Sequence, residues 1–168
     1  ARQGAEPLDL PGIASQSVTP SSDPPGLVVE VDPERTSAIG ATFERAAHLE
    51  ATGLLDADDP EVRAFARRHD RRGRPDGERA RALRTAVHRH IRDKNLETGF
   101  GTASDAVRSR SGDCTEHAVL LAAALRAVGI PSRTVSGLVW VPGDDPRGSF
   151  QWHMWTQAVI DGRWLDLD

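Results

Sequence analysis

The sequence predicts an α+β domain in which N-terminal helices and a central cysteine-bearing helix pack on an antiparallel β-sheet. Three observations carry this expectation. Apolar residues recur at helical spacing as far as Val128. Beyond Pro131 the period changes to two, and the last two alternating runs are separated only by Asp161-Gly162, a strong signal for a tight hairpin. Helices first and strands afterwards imply segregated layers rather than an alternating parallel fold.

Bulk properties narrow the class. A chain of 168 residues, 38% hydrophobic, suits one domain plus a tail. A single cysteine excludes an internal disulfide but is compatible with either redox compartment. The longest apolar run, Ala118 to Leu125, is far shorter than the roughly 20 residues a membrane helix needs. The N-terminal "ARQGAEPLDLPG" has neither a charged n-region nor an apolar h-region. A start without Met and a last residue, Asp168, within a strand-like run suggest a segment of a longer protein with other domains.

The net charge of −4 argues against a nucleic-acid partner, although Arg63 to Lys94 is strongly basic. Of Phe, Trp and Tyr, only Phe65 falls among those arginines. The stretch therefore reads as the solvated faces of two helices and their linker, with His69, His88 and His90 as surface or packing residues.

Along the chain, residues 1–26 are rich in Pro, Gly and Ser and read as linker, and residues 1–35 together as a linker or the edge of an upstream domain. Leu27 to Val31 is a short strand candidate within them. The catalytic domain is expected over residues 36–168. Ile39, Phe43, Ala46 and Ala47 predict a helix from Thr36 to Leu55. Asp59 as N-cap with Pro60 at the first helical position opens a second helix. Leu83, Val87 and Ile91 form the apolar stripe of a third, from Glu78 to about Asn95. Thr102 or Ser104 caps a short turn. Asp113 and Glu116 form a capping box for a nearly all-apolar central helix, Cys114 to Val128, closed by Gly129, Ile130 and Pro131. Strands follow at Thr134 to Val141, Gln151 to Ile160 and Arg163 to Asp168.

The sole cysteine stands at the first turn of that central helix. Free backbone N–H groups and the positive end of the helix dipole favour a thiolate there, and a free N–H can face an oxyanion. A two-residue turn sets Val159 opposite Trp164, Gln157 opposite Asp166 and Trp155 opposite Asp168. His153 then shares a face with Asp168 as its diagonal neighbour, about 7 Å away between Cα atoms and within reach of a carboxylate–imidazole hydrogen bond. Cys114, His153 and Asp168 thus supply nucleophile, base and orienter. Trp155 is expected to shield the His–Asp pair, and Trp140 to line the cleft or simply fill the sheet core. Competing readings pair Cys114 with His117 on the same helix face, gather Cys114, His117, His153 and Asp168 around zinc, or leave the domain a silent binding module.

"SGDCTEHAVLLAAALRAVGIPSRTVSGLVW" with "HMWTQAVIDGRWLDLD" resembles the core of the transglutaminase-like superfamily, in particular its bacterial cysteine-protease-like members. The resemblance runs from about Ile91 to Asp168. It implies a papain-like fold, with Cys114 as nucleophile, His153 as base and Asp168 as third member. The implied function is a thiol-dependent acyl transfer on protein or peptide amides through a thioester, most simply a hydrolase and alternatively a transglutaminase, with no cofactor or metal. Thr115 stands where the eukaryotic tissue enzymes carry an aromatic residue, and Asp56 to Asp59 reads as a helix cap rather than a calcium stretch. The family's sheet continues past the aspartate at which this chain stops.

Overall fold

The computed structural model describes residues 15–32, 35–95, 99, 101–143 and 148–168. The chain divides into two compact units, Ala1–Ala38 and Ile39–Asp168. In the first, β1 (Gln16–Ser22) and β2 (Pro25–Val31) form an antiparallel hairpin with Gln16 opposite Val31 and Ser22 opposite Pro25. The strand over 27–31 is as expected, whereas Gln16–Ser22 is strand where irregular linker was predicted. Its polar composition and internal Pro20 hide it from a hydrophobic pattern.

The second unit holds four helices and a three-stranded sheet among its described residues. The predicted helix over Thr36 to Leu55 is absent; only a single 3-10 turn forms, at Ala46–His48. Tertiary contacts override the local period here. Ile39 N–H donates to Gly162 O (3.0 Å), and His48 stacks on Phe43 and meets the edge of Trp164. Arg45 Nη2 and Arg126 Nη1 bind Gly129 O and Glu50 O, so the segment is strapped extended across other elements.

Helix α1 (Pro60–His69) begins as predicted, Asp59 Oδ1 accepting from Glu61 N (2.8 Å) and Val62 N. Helix α2 (Asp76–His90) ends five residues earlier than the apolar stripe suggests. Ile91 is still fully buried but turns extended, and Arg92 N–H and Asp93 N–H both donate to Arg110 O. The stripe therefore outlasts the helix because the chain remains in the core. Helix α3 (Ala103–Ser109) is capped by Thr102, reciprocally with Asp105.

Helix α4 (Cys114–Ala127) is the centre of the core. Leu120 and Leu125 are inaccessible, as are Leu83 of α2 and Ile130 beyond the helix. Its C-terminus is a Schellman motif: Gly129 at φ 84°, Gly129 N–H to Arg126 O (2.9 Å), and Ile130 N–H to Leu125 O (2.9 Å). One face of the sheet lies on this helix. Thr156 Oγ1 donates to Ala118 O (2.9 Å) and Ser132 Oγ to Ala122 O (2.8 Å), which satisfies both buried hydroxyls.

The sheet comprises β3 (Ser132–Val141), β4 (Ser149–Ile160) and β5 (Arg163–Leu167) in that order, all neighbours antiparallel. Asp161 and Gly162 have φ 50° and 73°, the two positive values of a type I′ turn. That turn fixes the predicted register, Ile160 opposite Arg163 and Gln157 opposite Asp166. Among the described residues no helix is long and apolar enough to cross a membrane.

Candidate active site

The site is built where α4 begins. Asp113 Oδ1 accepts from Thr115 N (2.7 Å), its side chain also serves Glu116 N, and Glu116 Oε2 returns a bond to Asp113 N (3.0 Å). His117 N–H donates to Asp113 O (3.2 Å) in the first helical bond. Of the four first-turn donors, Cys114 N–H is the one without a partner among the described residues. Glu116 is fully buried, and its second oxygen accepts from Gly101 N (3.2 Å). Gly112, at φ 145°, lies so close that a Cβ there would come within 2.5 Å of Glu116 Cβ and Cγ. The capping box is plain in the sequence; its reach to Gly101 is not.

The thiol of Cys114 is partly buried and free. It lines a cavity of about 370 Å³ whose walls also include His117, Trp155 and Asp168, with Arg84 and His88 contributed by α2. Across the hairpin, His153 Nε2 donates to Asp168 Oδ2 at 2.8 Å, the diagonal contact that the register requires. A carboxylate only accepts, so the ring carries its proton on Nε2 and presents Nδ1 as a lone pair when neutral. Arg84 Nη1, from α2, donates to Asp168 O at 2.6 Å, a restraint the sequence did not suggest.

Trp155 stacks on His153, ring centroids 6.2 Å apart and planes 19° from parallel, and its Nε1 donates to Asp166 Oδ1 (2.7 Å). Gln157 Nε2 donates to the same oxygen (2.8 Å). The two acids of β5 and its end are thereby distinguished: Asp166 holds the tryptophan, Asp168 the histidine. Room for the indole comes from Gly137, opposite His153, where a Cβ would lie 2.9 Å from Trp155 Cη2. Trp140 does not line the cavity. It lies toward the far end of β3, on the face that carries Met154 and Thr156 and opposite to that of Trp155, 53% exposed, alongside Trp152 at 79%.

The structure joins His153 to Asp168 and puts Asp168 and Cys114 on one cavity. His153 itself is not among the lining residues, and no hydrogen bond joins it to Cys114 among the described residues. His117 is occupied elsewhere. Its Nδ1 lies 2.6 Å from Asp113 O, an acceptor, so Nδ1 carries the proton; Nε2 is enclosed with no partner among the described residues. Burial pushes the His117 imidazole below its ordinary range, aided by Lys94 and His88 and opposed by the bond to Asp113. A local Cys114–His117 pair is therefore not formed. Nor, among the described residues, do three or more His, Cys, Asp or Glu side chains gather as a metal would require.

The model of the transglutaminase-like superfamily matches residues 63–168. The chain belongs to the transglutaminase-like superfamily. Solved structures share the fold of this superfamily member at low identity. One is a candidate cysteine protease from Cytophaga hutchinsonii, with TM-score 0.62 and 19% identity, covering 76% of this chain and 43% of that one. Another is the periplasmic domain of TgpA from Pseudomonas aeruginosa, with TM-score 0.60 and 20% identity, covering 86% of this chain and 54% of that one. The same domain bound to ethylmercury matches with TM-score 0.55 and 19% identity. The superfamily domain thus spans about half of the chains it resembles. No curated protein matches the sequence.

Proposed function

We propose that this superfamily member is a thiol-dependent acyl-transfer enzyme on protein or peptide amides, with water as the usual acceptor. The observation that carries the reading is the hydrogen bond from His153 to Asp168, a residue that lines one cavity with Cys114. Asp168 holds the Nε2–H tautomer of His153, leaving Nδ1 to take the thiol proton. The Cys114 sulfur then bonds to the amide carbonyl carbon. The oxyanion that forms is met by Cys114 N–H, the donor that the capping box leaves unused.

His117 is a positioning residue in this reading. Asp113 C=O and Cys114 N–H belong to one trans peptide and point in opposite directions. His117 Nδ1–H, by holding the carbonyl, fixes the direction in which that N–H points. Collapse of the tetrahedral intermediate breaks the C–N bond, and His153 returns its proton to the leaving amine. Water then resolves the thioester, regenerating the thiol and releasing a carboxylate. Support for hydrolysis comes from the name of the Cytophaga structure, a candidate cysteine protease.

The test incubates wild type and Cys114→Ala with a casein-like protein and a labelled primary amine. Fragments formed by the wild type alone are the expected result. Amine incorporation without fragments would make the enzyme a transglutaminase, and inactivity of both proteins would favour a binding module.

A further inference from the structure

Helix α2 has two working flanks. One lines the cavity with Cys114 through Arg84, Val87 and His88. The other presents Ala82, Thr85, Ala86 and Arg89, spaced i, i+3, i+4 and i+7, to a separate cleft of about 640 Å³. The small residues form a floor and leave the space open. Around it stand Arg68 at the end of α1, Arg71 after it, Arg89, Arg92 just beyond α2, and Arg110 at the end of α3.

None of these five guanidinium groups has an ion-pair or hydrogen-bond partner among the described residues. The one acid in the cleft, Asp70, is already neutralised: its side chain is 1% exposed and both oxygens are held by Arg79, at 2.7 and 3.0 Å. The helix dipole attracts cations to the last turns of α1 and α2, which accounts for Arg68 and Arg89. It does not account for Arg71 or Arg92, which lie beyond those helices. Arg110 is brought in by fold, not sequence, because Arg92 N–H donates to its carbonyl at 2.9 Å. The local field is felt by His69, held below its ordinary range by burial and then by Arg68 and His90.

Like charges gathered without counter-charges repel, in a chain that is acidic overall. Guanidinium forks bind phosphate oxygens in pairs, and the volume suits a small ligand rather than a single ion. The rings that line the cleft are the imidazoles of His69 and His90, both packed against Phe65 with centroids 4.8 and 4.9 Å away, which disfavours stacking of single-stranded nucleic acid. We propose that this cleft binds a diphosphate group, either free or as the diphosphate end of a small molecule.

Calorimetric titration of the full chain at low salt tests this, using inorganic diphosphate, methyl diphosphate, citrate and a single-stranded oligonucleotide. Saturable one-site binding of a diphosphate is expected, with citrate weaker. Arg89→Gln/Arg92→Gln should loosen it by about tenfold or more, while Arg63→Gln, an exposed α1 residue outside the cleft, leaves it unchanged. Equal affinity for the ester points to a diphosphate-bearing molecule, and preference for the inorganic ion to the free anion. Amide-shift mapping on the wild type, which needs no variant to fold, should show perturbations at Thr85, Arg89 and Arg110. The absence of saturable binding, an equal loss in Arg63→Gln, preference for the oligonucleotide or shifts elsewhere would each overturn the assignment.

Discussion

The two ends of α4 are finished differently. At the C-terminus four carbonyls in and just beyond the last turn are satisfied: Leu125 O and Arg126 O by the Schellman motif, Val128 O by Arg79 Nη2 and Gly129 O by Arg45 Nη2. At the N-terminus three donors are closed by Asp113 and one, on Cys114, is left open beside a cavity. A fold that seals one end of its central helix so thoroughly shows that the chain has the means to seal the other. Lesions at the two ends should therefore differ in kind, with stability lost at the C-terminal end and turnover at the N-terminal end.

The largest effect is expected at the partner of Asp168, which shares the cavity with that open donor. His153→Ala should reduce turnover by about 10²–10⁴-fold, the usual worth of a general base, with an unchanged melting temperature. Asp168→Ala should follow it in direction, and a steady-state assay with a thermal melt measures both. Next comes Glu116→Ala, which strands two partly buried N–H groups, those of Gly101 and Asp113, and opens a cavity. A loss of about 2–4 kcal/mol in denaturant unfolding is expected. Because it unseats the N-cap, turnover should fall at temperatures where the protein remains folded.

His117→Ala should lower kcat by about tenfold, or ~1.4 kcal/mol, with KM little changed. His117→Asn, whose amide nitrogen can occupy the Nδ1 position, should recover most of it. Equal activities for the Ala and Asn variants would remove His117 from its positioning role. The same residue carries a pH signature. Its folded pKa is depressed, so as pH falls below the unfolded value of about 6.5 the unfolded chain gains a proton that the folded chain resists. Stability should fall with acidification in that window, and His117→Asn should flatten part of the slope.

The smallest effect lies at the sealed end. Gly129→Ala forces an alanine to φ 84° and should cost about 1–2 kcal/mol, with kcat intact.

What was legible in the sequence is what local chemistry specifies. The capping box and terminal glycine bound α4 to within a residue, and a two-residue turn pinned the register that brings His153 to Asp168. What was illegible depends on distant partners. Residues 36–55 have helical spacing but are held by Gly162, Trp164 and Arg126. Arg84 looks like one more solvated arginine until the fold brings α2 to Asp168. His117 reads as a rival base because its spacing is visible and its bond to Asp113 O is not. The arginine cleft likewise needs Arg110, eighteen residues beyond Arg92 in sequence, to close.

The central claim is that Cys114 is a nucleophile activated by the His153–Asp168 pair. Its most direct test is the rate of Cys114 alkylation by iodoacetamide at neutral pH, followed by intact mass in wild type, His153→Ala and a small free-thiol reference. The account predicts that the wild-type thiol reacts faster than the reference and slows in His153→Ala. A wild-type rate equal to that of the free thiol, unchanged by removal of His153, would contradict it.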